Sequence, residues 1–213
     1  MTPRDAPVVA VLDYGIGNLR SAQKALEHVG ADARLTADRG LIAEAEGIVL
    51  PGVGSFGRCM EALTDAGLAD VAADAAEAAA EGGGPPFLGV CVGMQMLFEG
   101  SDESPDVAGL GVMPGKVRRL PEGVKRPQMQ WNVLRWTDAG APLAAGQPEV
   151  CWVYFVHSYW AEAEPADVAA TCDYGTDVTA AAARRRLWAT QFHPEKSAAN
   201  GLRLLRTFVD TCR

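Results

Sequence analysis

The fold is decided by the segment Pro86-Phe87-Leu88-Gly89-Val90-Cys91-Val92-Gly93-Met94-Gln95. This pattern predicts a short apolar strand, a tight turn that holds one cysteine between two glycines, and the start of a helix. In such a turn the cysteine lies at the strand-to-helix bend, and its sulfur projects outward. The free N–H groups at the helix start favour the thiolate. Because many cysteines are simply buried apolar residues, Cys91 alone leaves both interpretations open.

Composition and charge limit the class of protein. A chain of 213 residues, 48% hydrophobic and 22% charged, predicts one globular domain spanning residues 1–213. A net charge of −8 argues against a general nucleic-acid surface. The short basic run at 184–186 is interpreted as a solvated hairpin or loop. The apolar run at 8–12 is too short for a signal peptide, and no stretch reaches the length of a membrane span, so we expect a cytoplasmic protein without membrane association.

The cysteines and glycines argue against metals and nucleotide cofactors. The five cysteines are widely spaced and include no C-x-x-C pair, which argues against a disulfide framework or a zinc site. We expect Cys59, Cys151, Cys172 and Cys212 to be packing residues. The run at 13–17 resembles a dinucleotide fingerprint, but its third glycine is replaced by Arg20, so NAD binding is rejected. We therefore predict neither a metal nor a cofactor.

The order of segments predicts the fold class. Strands are predicted at 8–12, 33–36, 47–50 and 86–90, with helices at 19–29 and at 57–81, the latter broken near Gly67. Alternation of strands and helices indicates a doubly wound, mostly parallel α/β sheet. After Gly100, segments at 111–120, 130–136, 151–160, 168–171 and 187–192 indicate a mixed or antiparallel extension. A final helix is predicted over residues 197–212.

A cysteine nucleophile needs a base, and the chain has three histidines. His28 is expected to be an exposed helix residue. His157 is either a packed, hydrogen-bonded histidine or a residue that lines a site, and the packing role is preferred. His193 is followed two residues later by Glu195, and in an extended stretch both side chains point to the same side. A carboxylate in this position can fix the imidazole tautomer, although a strand-end turn with a surface glutamate fits equally well.

Acyl transfer also needs N–H donors for the oxyanion. The segment Pro51-Gly52-Val53-Gly54 follows a predicted buried strand, and its glycines allow the peptide of Val53 to adopt unusual angles. The N–H of Val92 is the natural second donor. Gly52, Val53 and Val92 are therefore the candidate oxyanion hole, whereas a simple turn is the alternative for the 51–54 segment.

Five motifs occur together, in order. GVCVGMQ, HPEKS and PGVGSF resemble the class I glutamine amidotransferases, and DYGIGNLRS and YFVHSY narrow the resemblance to the glutaminase subunits of imidazole glycerol phosphate synthase. The resemblance spans about residues 8–208. It implies a flavodoxin-like sheet, attack of Cys91 on the side-chain amide of glutamine, hydrolysis of the thioester, and proton transfer by His193. It also implies a heterodimer with a (β/α)8-barrel cyclase that receives the ammonia.

The resemblance further assigns binding and interface residues. Residues at the positions that hold the amino-acid end of glutamine are Gln95, Glu103, Ser158 and Tyr159. Residues at the positions that face the cyclase are Asn18, Trp131, Tyr154 and Lys196. In this family the 51–54 segment is expected to complete its oxyanion hole only when the partner is bound.

One segment departs from the family pattern. The family has P-H-M-G-W-N, whereas this chain has glutamine at both Gln128 and Gln130. We expect this change to affect docking and coupling and to leave the glutaminase chemistry intact. Two alternatives remain: the glutaminase of another amidotransferase, such as pyridoxal phosphate synthase, and a non-catalytic thiol sensor of the same fold. An α/β-hydrolase is disfavoured because Glu195 follows His193 in the chain, whereas the acid normally precedes the histidine.

Overall fold

The computed structural model describes residues 6–212, and its strands and helices alternate through the first hundred residues. The strands are β1 (Val8–Leu12), β2 (Asp32–Thr36), β3 (Gly47–Gly52), β4 (Phe87–Cys91), β5 (Gly100–Ser101), β6 (Ser104–Ala108), β7 (Gly115–Arg119), β8 (Gln128–Val133), β9 (Arg135–Trp136), β10 (Trp152–His157), β11 (Tyr159–Ala163), β12 (Val168–Asp173), β13 (Asp177–Arg184) and β14 (Leu187–Thr190). The helices are α1 (Leu19–His28), α2 (Arg39–Ala43), α3 (Phe56–Asp65), α4 (Ala69–Glu81), α5 (Val92–Gln95), α6 (Ala141–Ala144) and α7 (Ala198–Thr211).

The main sheet has eight strands in the order β2-β1-β3-β4-β14-β13-β12-β9. The first five are parallel and the last three pair antiparallel. Every residue of β3 and β4 is buried. Because successive residues of a strand point to opposite faces, both faces of the sheet are covered. The predicted doubly wound, mostly parallel sheet with an antiparallel extension is confirmed.

Two smaller sheets lie beside it, namely the pair β10-β8 and the sheet β11-β7-β5-β6. The prediction of one strand over residues 151–160 was wrong. The chain breaks at Ser158, because β10 pairs with β8 whereas β11 pairs with β7 in the other sheet. His157 and Tyr159 therefore do not belong to one strand face.

Several elements were not predicted, namely α2, β5, β6, α6 and β13. The helix α2 is only five residues long, and β13 is rich in alanine, which has little preference for strands. The basic run at 184–186 does form a hairpin turn, between β13 and β14, and Arg185 has a φ of 52°. Its first residue is only partly solvated, because Arg184 forms an ion pair with the buried Asp167.

The topology brings three distant segments to one edge. The strands β3, β4 and β14 are neighbours in the parallel part of the sheet and end at Gly52, Cys91 and Thr190. Carboxyl ends of parallel strands lie at the same edge, where ligand sites collect in open α/β sheets. Residues 51–54, the Cys91 turn and the residues around His193 are thus neighbours at that edge.

Candidate active site

The strand β4 ends in a strained bend. Cys91 has φ 57° and ψ −111°, and the four-residue helix α5 starts at the next residue. A residue other than glycine in such a conformation costs ~1–3 kcal/mol and persists where the surrounding structure fixes it. The pairing of Cys91 with Gly52 across β3 and β4 contributes that support. Because α5 is a single turn, it offers the sulfur a few free N–H groups and no long helix dipole.

Close backbone packing explains the glycines around this bend. A Cβ added to Gly93 would lie 1.9 Å from the oxygen of Leu50, and one added to Gly89 would lie 2.9 Å from the oxygen of Gly93. Side chains at these two positions would therefore clash with the backbone around the bend. Gly52 is also required by space, because its Cβ would lie 2.6 Å from the nitrogen of Gly93. Only Gly54, with φ +89°, adopts the unusual angle expected of the 51–54 segment.

His193 and Glu195 contact each other, but through a different backbone from the one predicted. The imidazole Nδ1 lies 2.8 Å from the carboxylate Oε1, and both side chains are nearly inaccessible. Residues 194–196 form a 3₁₀ turn and are not extended. Pro194 starts this turn, and Ser197 Oγ donates a hydrogen bond to the carbonyl of His193. This turn still places the carboxylate of Glu195 beside the imidazole ring of His193.

The electrostatics of this pair favour a protonated imidazole. Burial lowers the pKa of His193, but hydrogen bonds to Cys91 and Glu195 outweigh it and raise the pKa to about 9. Burial raises the pKa of Glu195, but the hydrogen bond to His193 outweighs that effect and holds the pKa below its usual range. At neutral pH the imidazolium therefore lies between the cysteine sulfur and a carboxylate.

A cavity of about 360 Å³ opens over the sulfur. Among the residues singled out from the sequence, those that line it are Val53, Cys91, Val92, Gln95, Glu103, His157, Ser158, Tyr159, His193 and Lys196. Sequence reasoning did not assign a site role to Gly54, Pro127 or Val156, which also line it. The break between β10 and β11 forms the wall opposite the cysteine turn.

Buried amides connect this wall to the sulfur. Gln95 Nε2 donates to the carbonyl of Tyr159 and to Gln191 Oε1, both at 3.0 Å. Gln191 Nε2 in turn lies 3.7 Å from Cys91 Sγ. Sequence reasoning assigned no role to Gln191. Its position two residues before His193 was a signal that could have identified it. Glu103 Oε2 accepts the backbone N–H of Phe56 at 2.7 Å, which fixes its carboxylate at the cavity edge.

His157 is a packed, hydrogen-bonded histidine, as preferred, and it also lines the cavity. Its Nδ1 lies 2.8 Å from the carbonyl of Tyr159, and its Nε2 lies 2.8 Å from the amide of Gln128. Burial lowers the pKa of His157 to about 4, so the ring is neutral. The atom that faces the ring Nε2 is Gln128 Oε1, and Gln128 Nε2 lies 3.9 Å from Cys172 Sγ. A neutral ring carries one N–H, so it donates to one of the two oxygens.

The two unusual glutamines have different surroundings. Gln128 is fully buried behind the cavity wall, whereas Gln130 is exposed. The side chain of Gln128 points at His157, so of the two glutamines Gln130 is the one available for direct contact with a partner. The expected effect on docking and coupling stays a prediction.

The residues expected to face a partner lie in two places. Asn18 Nδ2 donates to Glu195 Oε1 at 3.2 Å, so it supports the carboxylate from outside the cavity. Lys196 is exposed at the cavity. Trp131 is 44% exposed and lies against Tyr154, with ring centroids 6.0 Å apart.

Within residues 6–212, no group of three or more His, Cys, Asp and Glu side chains is arranged to hold a metal ion. No helix in that part of the chain combines the length and apolar character needed to cross a membrane.

Comparison with known proteins identifies the family. Residues 10–212 match the family described as Glutamine amidotransferase class-I. The chain belongs to this family. Among curated relatives, the imidazole glycerol phosphate synthase subunit HisH of Methylococcus capsulatus is 48% identical, with 94% of this chain and 95% of that protein covered. The HisH subunit of Methanothermobacter thermautotrophicus is 44% identical, with 97% and 100% covered. Within the amidotransferases, the chain therefore belongs with the HisH subunits.

Solved structures agree on the amidotransferase fold. A crystal structure of a glutamine amidotransferase superposes with a TM-score of 0.73 at 21% identity, covering 96% of this chain and 98% of that one. The structure of PurLQS from Thermotoga maritima gives 0.72 at 20% identity, covering 98% and 100%. At this identity the likeness concerns the fold alone.

Proposed function

We propose that this chain, acting as one domain, is the glutaminase subunit of imidazole glycerol phosphate synthase in histidine biosynthesis. The observation that carries the proposal is the buried arrangement of Cys91, His193 and Glu195 beside one cavity, with His193 Nδ1 2.8 Å from Glu195 Oε1. The strong similarity to HisH subunits, which extends over nearly the whole chain, supports the choice of reaction partner.

The proposed chemistry follows from the positions of these groups. The sulfur of Cys91 attacks the side-chain amide carbonyl of glutamine, and His193 gives its proton to the departing ammonia. A thioester remains on Cys91. His193 then takes a proton from water, which attacks the thioester and releases glutamate. Glu195 holds the ring by its Nδ1–H and stabilises the imidazolium, supported by Asn18.

The tetrahedral intermediate needs donors at its oxygen. The N–H of Val92, directly after the nucleophile, and the N–H of Val53 across the cavity are the donors we propose. Gly52 pairs with Cys91 across adjacent strands, so the 51–54 segment runs beside the sulfur. We propose that Val53 N–H points to the oxyanion only when the partner is bound.

Four residues are proposed to bind the amino-acid end of glutamine: Gln95, Glu103, Ser158 and Tyr159. All four line the cavity. One carboxylate oxygen of Glu103 accepts the Phe56 N–H, and the carboxylate keeps further acceptor capacity for an ammonium group. Gln95 is held by Tyr159 and Gln191, so its amide has a fixed position before substrate arrives.

The proposed partner is a (β/α)8-barrel cyclase that receives ammonia and forms a heterodimer with this chain. The support is an apolar surface on β8 and β10 and just before β10, whose large exposed residues are Met129, Trp131, Val150 and Trp152. Patches of this kind mark interaction sites. Trp131 and Tyr154 are paired across the two strands there, and we propose that they face the cyclase together with Asn18 and Lys196.

The proposal is tested by measuring glutamate release from glutamine, with and without the (β/α)8-barrel cyclase subunit and its ligand. We expect slow turnover alone and strong stimulation in the complex, with no turnover by the Cys91→Ala variant in either case. Absence of glutamate release from the wild-type complex contradicts the glutaminase assignment. Full activity of the isolated chain contradicts partner gating.

A further inference from the structure

Two buried side chains hold the segment beside the nucleophile. Tyr14 Oη donates a hydrogen bond to the carbonyl of Pro51 at 2.5 Å, and Cys59 Sγ donates to the carbonyl of Val53 at 3.2 Å. Tyr14 follows β1 and Cys59 lies in α3, and they are 5% and 0% exposed. The carbonyls of Pro51 and Val53 are therefore each held by a hydrogen bond from a different part of the core.

Both side chains remain donors at working pH. Burial raises the pKa of Tyr14 far above its ordinary value, and burial also raises the pKa of Cys59. The phenol and the thiol are therefore protonated at neutral pH. Each group also affects the pKa of the other, which indicates that the two lie close together under the segment.

One peptide lies between the two held carbonyls. Its carbonyl belongs to Gly52 and its N–H to Val53, the donor proposed for the oxyanion. Rotation of a peptide plane about the line joining its two Cα atoms changes ψ of the first residue and φ of the second, and leaves the flanking peptides in place. Gly52 tolerates any ψ that results, and its tight contact with Gly93 keeps its Cα fixed.

We propose that Tyr14 and Cys59 are positioning residues that fix the peptides on either side of the Gly52–Val53 peptide, so that this peptide alone turns its N–H toward the oxyanion. The inference rests on the proposed glutaminase function and adds two residues to it. Val53 has no positive φ in this structure. Turning the peptide over moves this β-branched residue toward positive φ, which is unfavourable, so the turned state needs firm supports on both sides.

The test measures kcat and KM for glutamine in the complex with the (β/α)8-barrel cyclase subunit and its ligand. Tyr14→Phe and Cys59→Ala each remove one hydrogen bond. We expect each variant to lower kcat about tenfold, since a misplaced oxyanion donor loses much of its effect, while KM changes less than about twofold because the substrate contacts remain. Cys59→Ser keeps a donor and is expected to recover at least about a third of the wild-type kcat.

A matched control removes the same kind of bond elsewhere. Cys212 is also buried, and its Sγ donates to the carbonyl of Phe208 at 3.3 Å, in α7. Cys212→Ala is expected to lower the thermal midpoint as Cys59→Ala does, and to keep the wild-type kcat. Tyr14→Phe and Cys59→Ser keep the ring and most of the side-chain volume, so they report on the segment even where Cys59→Ala folds poorly.

The outcomes separate the two proposals. If the wild-type complex releases no glutamate, the proposed function fails. If the wild-type complex is active and Tyr14→Phe and Cys59→Ala keep its kcat, the proposed function stands and the positioning role is wrong. A loss of kcat in Cys212→Ala equal to that in Cys59→Ala also overturns the inference, because it shows a general effect of lost stability.

Discussion

Replacing Glu195 with glutamine removes the charge that faces His193 and keeps the size of the side chain. The Nδ1–Oε1 contact is 2.8 Å, and the two side chains are 3% and 4% exposed, so water cannot substitute for the carboxylate. A rise in the pKa of His193 from 6.5 to about 9 corresponds to about 3 kcal/mol, at ~1.4 kcal/mol per pH unit. Cys91 and Glu195 share this stabilisation of the imidazolium.

The sign of the pH effect on stability follows from linkage. Between pH 6.5 and 9 the folded protein binds a proton at His193 that the unfolded chain does not bind. This contribution is therefore complete below pH 6.5 and is lost as the pH rises through 9. Urea unfolding at a series of pH values is expected to show the wild type losing up to about 3 kcal/mol across this window, and Glu195→Gln losing less than half as much.

Loss of the carboxylate is also expected to change how the rate of glutamate release depends on pH. With the carboxylate gone, the pKa of His193 falls, so the alkaline limb of kcat/KM for glutamate release moves to lower pH. Some activity is retained, because the side-chain amide introduced at position 195 and the side chain of Asn18 still contact the site. Glu103→Gln is the matched control, since this carboxylate lines the same cavity and holds the N–H of Phe56. It is expected to raise KM and leave the alkaline limb unchanged. If Glu195→Gln shifts neither the stability curve nor the alkaline limb, the assignment of Glu195 to His193 is refuted.

Four further substitutions test the site. Cys91→Ala is expected to fold, as measured by circular dichroism, and to form no glutamate in the complex; residual hydrolysis rules out Cys91 as nucleophile. His193→Ala is expected to be nearly inactive, whereas His157→Ala, which removes a neutral wall residue, keeps measurable turnover; equal losses show that the base was chosen wrongly. Gly93→Ala places a Cβ 1.9 Å from the oxygen of Leu50 and is expected to lower the thermal midpoint by about 10 °C, at ~2–4 °C per kcal/mol for a chain of this length; an unchanged midpoint contradicts the packing described for the bend at Cys91.

Local patterns predicted what depends on local geometry. The strand, the bend at Cys91 and the short helix follow from an apolar run and two glycines, and the structure has all three. His193 and Glu195 meet as predicted, although by a 3₁₀ turn where strand alternation was expected. A two-residue spacing fits both backbones, so sequence alone could not distinguish them.

Contacts between distant segments could not be predicted in the same way. Tyr14 and Pro51 are 37 residues apart, and Gln191 and Cys91 are 100 apart, so only the packed sheet brings each pair together. The strand β13 was missed because its run of alanines carries no alternating pattern and alanine has little preference for strands. Gln128 was placed in a segment toward the cyclase by the family resemblance, which does not give the direction of each side chain, and in the structure this side chain points inward.

The close packing around the bend at Cys91 has a consequence for redesign of the site. Behind Cys91 the backbone segments pack closely, and positions 52, 89 and 93 are glycines because a methyl group has no space there. Substitution at these positions is expected to disturb the bend. At the break between β10 and β11, the cavity is lined by Val156, His157, Ser158 and Tyr159. Substitutions that let the site accept amides other than glutamine should therefore be sought at the break between β10 and β11.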